Sequence, residues 1–126
     1  MTIKGSRLRA LLTAAALLAT PTTMLAADIA VVGGRADEEI WNLVKKGIDD
    51  ARLVVEANGG SVNYLQLQSY DNLGPDAAQL VRTAISQGAD GIVVPNWVPE
   101  AEDDAIRAAI DAGIAVRWSP SQAKLS

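Results

Sequence analysis

Asp28-Ile29-Ala30-Val31-Val32-Gly33-Gly34-Arg35-Ala36-Asp37-Glu38-Glu39-Ile40-Trp41 is the stretch on which the fold turns. Ile29 to Val32 form a short continuous apolar run, the pattern of a strand buried on both faces, and the glycine pair ends it. Three acids follow, and acids in a first turn favour a helix start because they oppose the positive end of the helix dipole. Ile40, Val44, Ile48, Ala51 and Val55 then recur at helical spacing, and Asn58-Gly59-Gly60 supplies the left-handed stop of a helix. A buried strand followed by one amphipathic helix predicts the opening unit of an α/β sheet.

The alternation repeats downstream. Val62 to Leu67 read as a second strand, and the turn-rich Tyr70-Asp71-Asn72-Leu73-Gly74 leads to Pro75, expected at the first position of a second helix. Ala77, Leu80, Val81, Ala84 and Ile85 give that helix its apolar stripe, and Gly88 ends it. Gly91 to Pro95 read as a third strand, Ala101 to Ala112 as a third helix with Ala105, Ile106, Ala109 and Ile110 facing inward, and Ile114-Ala115-Val116 as a fourth strand. Strands and helices alternating at these lengths predict the α/β class, a doubly wound parallel sheet with right-handed crossovers and helices on both faces. Ligands of such sheets bind beyond the carboxyl ends of the strands, so the loops after Val32, Leu67, Val94 and Val116 are the expected site.

Composition narrows the chemistry. A chain of 126 residues holds one domain, since domains usually run to roughly 100–200 residues. Cysteine and histidine are both absent, which removes disulfides, thiol nucleophiles, Cys/His zinc sites and the usual general base. No catalysis and no cofactor are expected. Phe is also absent, so the core must come from Ala, Val, Ile and Leu.

The N-terminus reads as an address. Lys4, Arg7 and Arg9 precede an apolar run from Ala10 to Ala19, Pro21-Thr22-Thr23 break it, and Ala26-Ala27 offer a small-residue cleavage site before Asp28. The run is shorter than the about 20 residues a membrane span needs. Residues 1–27 are therefore expected to be a signal peptide and the mature protein periplasmic, the alternative being a core helix over residues 8–19. Without the three leader cations, eight basic residues face fifteen acidic ones, a balance of −7 that gives nucleic acid nothing to bind.

The order of these segments resembles the type I periplasmic sugar-binding proteins, the substrate-binding components of sugar ABC transporters. The likeness rests on the first strand with Gly33-Gly34, Ile40-Trp41 opening a helix that runs through Lys45-Lys46-Gly47, and Gln79 to Gln87. It continues through Gly88-Ala89-Asp90-Gly91-Ile92-Val93-Val94-Pro95 and Ala109-Ile110-Asp111-Ala112-Gly113-Ile114. It covers residues 28 to about 116. The resemblance implies two lobes closing on a sugar or similar polar solute, which is handed to a permease in the inner membrane. Residues 28–126 would then be the N-terminal lobe only, truncated. Arg117-Trp118-Ser119-Pro120 departs from the family pattern and opens an atypical tail, which a frameshift or premature stop would explain.

Sugars are gripped by flat aromatic faces and by planar polar groups. Trp41 matches the family position of a stacking aromatic, although a core role fits it equally. Arg35, Asp37 and Glu38 lie in the loop after the first strand, where hydroxyl-bonding residues are expected or where they merely cap a helix. Asn96 and Trp97 follow the third strand between Pro95 and Pro99, and Tyr70 and Asp71 follow the second. These eight are the expected solute-binding residues; no metal ligands are expected.

Two other functions share the sheet. Gly33-Gly34-Arg35-Ala36-Asp37-Glu38 lacks the third glycine of a dinucleotide loop, and its acids would repel pyrophosphate. A phosphoacceptor domain needs an acidic pair where Gly33-Gly34 stand and an Asp where Pro95-Asn96 stand. A third alternative, a nonfunctional remnant of a receptor, stays open, and uncovered sheet edges predict low solubility.

Overall fold

A computed structural model describes residues 26–120. The expected leader lies outside the described residues except for Ala26 and Ala27. Four strands, β1 (Asp28–Gly33), β2 (Ser61–Gln66), β3 (Gly91–Asn96) and β4 (Ala115–Pro120), alternate with three helices, α1 (Glu39–Ala57), α2 (Leu73–Ser86) and α3 (Pro99–Asp111). Every strand pair is parallel and the order is β2-β1-β3-β4, so the fold is the expected α/β class with a doubly wound sheet. The chain steps outward from β1 to β2, then returns past β1 to β3. Since crossovers keep one hand, this reversal puts α1 on one face and α2 with α3 on the other.

Each helix is closed by a glycine in the left-handed region, Gly59, Gly88 and Gly113, with φ of 83°, 76° and 82°. α2 begins at Leu73, so Pro75 is its third residue and not its first. The amide of Asp76 already donates to the Asn72 carbonyl at 3.0 Å. The whole first turn lacks intrahelical acceptors for its amides, which is why a proline fits there too. The fourth strand continues through Arg117 to Pro120, pairing with β3 as far as Asn96.

One face holds the core. Ala30 and Val32 of β1 and Ile92 and Val94 of β3 alternate toward Ala78, Val81 and Ala84 of α2 and Ala105, Ile106 and Ala109 of α3, and all are buried. The alanines let both helices lie close to the sheet. Gly74 does the same between the helices, since a Cβ there would sit 2.6 Å from the Ala101 Cβ.

The other face is thinner. No residue of α1 is buried. Of its expected stripe only Ile48 and Val55 are half-buried, while Ile40, Val44 and Ala51 are exposed. Among the described residues α1 has no neighbouring helix, so one flank of its apolar arc meets no described layer. Its half-buried side also carries charge: Lys45 and Arg52 both pair with Asp49, at 2.7 and 3.3 Å. On the sheet beneath, Val93 is 41% exposed. Ile110 of α3, expected inside, is exposed as well, in an open groove with Pro99, Asp103 and Arg107 on the flank that no other described helix covers.

Candidate functional site at the carboxyl rim

The strand register opens a crevice where the strand order reverses. β1 pairs with β2 through Gly33↔Gln66, and β3 with β4 through Asn96↔Pro120, but β1 and β3 pair only from Ile29↔Gly91 to Val31↔Val93. Their carboxyl ends therefore part. This is the position at which doubly wound sheets receive ligands.

One wall is the loop from β1 into α1. Gly34 is buried, and a Cβ on it would overlap both the Trp41 indole nitrogen and the Tyr70 hydroxyl, so glycine is what lets these rings close over the strand tip. The Tyr70 hydroxyl donates to Glu38 Oε2 at 2.6 Å and accepts the Arg35 amide at 3.2 Å. Burial, then the bond to Glu38, raises the Tyr70 pKa above its ordinary value. The phenol therefore stays protonated and acts as a donor. The Arg35 guanidinium lies 5.6 Å from the centroid of the Tyr70 ring, within cation–π range. It also forms a two-pronged pair with Asp37, one prong being Nε to Oδ1 at 2.9 Å. That pair raises the Arg35 pKa and lowers the Asp37 pKa, hydrogen bonding being the first cause in both. Among the described residues no ion pair of this kind neutralises Glu38.

The opposite wall is the loop from β3 into α3. Trp97 packs against the core and meets Trp41 edge to face, ring centroids 5.8 Å apart at 68°. The loop is fastened from below. Glu102, fully buried, accepts the Val98 amide on Oε2 at 2.6 Å, reaching back over the start of α3 to an amide that has no acceptor within the helix. Its pKa is raised, first by burial, and its Oε1 has no partner.

Of the eight expected residues, Arg35, Asp37, Glu38, Trp41, Tyr70 and Trp97 come together across the crevice. Asn96 stands apart, because it follows Val94 onto the buried face of β3 and donates from Nδ2 to Asp103 Oδ1 at 3.0 Å. Asp71 is exposed and bonds through its amide to Ser69 Oγ. Two residues of the rim were not singled out in the sequence. Tyr64 lies against Gly33, its hydroxyl buried without a partner and its pKa raised mainly by burial. A tyrosine pointing away from the packed face of β2, two residues before the strand ends, was the available signal. For Glu102 the signal was its place four residues after Val98, where a carboxylate can return to the helix start.

A hollow of about 150 Å³ lies at the amino ends of the strands, lined in part by Asp28, Ser61, Asn63 and Gln87. Its polar groups satisfy one another: Ser61 Oγ donates to Asp28 at 2.7 Å, Asn63 Nδ2 to Gln87 at 2.7 Å, and the Asp28 amide to Asp90 at 2.8 Å. No known protein family matches this chain, and no curated protein matches it closely enough to mark a relative.

Proposed function

We propose that this chain is a solute-binding lobe of the type I periplasmic sugar-binding kind, exported through residues 1–27, capturing a sugar or related small polar solute for a membrane permease. The observation that carries this reading is the convergence of Trp41, Tyr70 and Trp97 at the parted tips of β1 and β3. Two tryptophans and a tyrosine there offer flat apolar faces for the C–H side of a sugar ring. Glu38 and Arg35 lie beside them as groups that bond hydroxyls, so the crevice has the mixed lining of a polar-solute site. Binding fits better than catalysis, because the charged rim residues are engaged in holding one another in place and the sequence offers neither a histidine nor a thiol.

The rim residues described face a solute from one side, so the affinity of residues 1–126 by themselves is expected to be weak, in the millimolar range of about −4 kcal/mol. Isothermal titration against pentoses, hexoses and sugar alcohols tests the reading. Heat from at least one of them, lost in Trp41→Ala and in Trp97→Ala, is the expected result. A flat response across the panel would remove it and favour a remnant without binding activity.

A further inference from the structure

We infer that the rim selects a solute carrying a positive charge, an amine-bearing sugar or polyol, and that Arg35 occupies the place of that cation. This rests on the solute-binding reading and narrows its ligand. Three aromatic rings line the crevice, and the face of an aromatic ring is its negative part. The structure already holds a cation there: the Arg35 guanidinium over the Tyr70 ring, 5.6 Å from its centroid. Arg35 is supplied by a loop, its side chain is 38% exposed, and Asp37 accompanies it as counter-ion, so the two can leave together as a neutral pair.

Their departure leaves Glu38. Its Oε2 is held by the Tyr70 hydroxyl, which fixes the carboxylate beside the ring, and among the described hydrogen bonds Oε1 accepts none. A fixed carboxylate next to an open aromatic face is the arrangement that binds an ammonium group, since the charge-assisted bond and the cation–π attraction act on the same atom. An anionic solute fares worse. Among the described residues Arg35 is the cation placed at the crevice, and Asp37 already claims it, so a carboxylate or phosphate would face Glu38 uncompensated.

The test follows the indole signals of Trp41 and Trp97 in ¹H–¹⁵N spectra of the full chain during titration with glucose, glucosamine and glucuronate, below the pKa of the amine. Glucosamine is expected to bind about five- to tenfold more tightly than glucose, with glucuronate weakest. The preference should collapse in Glu38→Gln and widen in Arg35→Gln, the second variant carrying the test if the first does not fold. Equal affinity for glucose and glucosamine, or preference for glucuronate, overturns this inference and leaves solute binding intact. An Arg35→Gln variant that binds glucosamine less well overturns the role given to Arg35. Silence with all three ligands overturns the inference, and together with a flat calorimetric panel it overturns the receptor reading too.

Discussion

The two faces of the sheet are built differently. Beneath α2 and α3 the strands bury Ala30, Val32, Ile92 and Val94 in a closed core, and the helices lie close because they bring alanine to the contact. Over the opposite face α1 is the one described helix and has no buried residue, with Leu43, Leu53 and Val54 more than half exposed. The crevice takes one wall from each. Trp97 stands on the packed face, its loop tied by Glu102, while Trp41 and Arg35 stand on the thin one. The candidate site thus joins a closely packed wall to a thinly packed one, and on the proposed function a solute should order the α1 side more than the α3 side.

Substitutions can break this contrast. Ile92→Ala, inside the closed core, is expected to cost about 2–5 kcal/mol, read as a fall in denaturant midpoint. Gly74→Ala should cost about 1–3 kcal/mol by forcing α2 away from Ala101, with the same readout. Gly34→Ala, on the thin side, should act on function more than on stability. Its Cβ displaces Trp41 and Tyr70, so near-ultraviolet circular dichroism changes and sugar affinity falls about tenfold, equivalent to about 1.4 kcal/mol.

Glu102 sharpens the contrast through pH. Its folded pKa is raised above the ordinary 4.5, so in the window between the two values the folded chain holds a proton that the unfolded chain has released. Its contribution therefore grows as pH falls through the raised value and is lost as pH rises through it. Asp37 and Asp49, whose pKa values are lowered, contribute in the opposite sense: they stabilise above the ordinary aspartate value and lose that contribution as pH falls through their lowered values. Glu102→Gln should remove the first component from a stability-against-pH curve while leaving the acid-side loss. An unchanged curve would mean that Glu102 is not buried as described. Leu53→Ala, on the exposed arc of α1, should fall within about 0.5 kcal/mol of the parent; a larger loss would show that something covers this arc.

Much of the architecture was legible because it depends on local pattern. The run Ile29 to Val32, the left-handed glycines after each helix and the stripe of Ala77, Val81 and Ala84 point to the same α/β alternation, and the sheet obeys them. Burial of the helix stripes was less legible, since periodicity tells which residues share a face but not whether another layer arrives to cover it. Ile40 and Ile110 are exposed for that reason. The candidate site was legible to the level of loops: the strand-tip rule singles out Arg35, Asp37, Glu38, Trp41, Tyr70 and Trp97, which the fold brings together. Rotation about the last residue of a strand was not. Asn96 continues the inward phase of Ile92 and Val94 and so turns to Asp103, whereas Trp97, one residue on, reaches the crevice. Glu102 and Tyr64 escaped notice because their roles depend on what lies beside them in space, Val98 in one case and Gly33 in the other.

Amide hydrogen exchange, measured with and without a sugar that gives heat in the calorimeter, tests the central claim that solute binds between the parted tips of β1 and β3. Slower exchange is expected across residues 34–41 and around Trp97, strongest on the α1 side, with the amino-end segment around Ser61 and Asn63 unchanged. Protection confined to that amino end, or none at either, would contradict it.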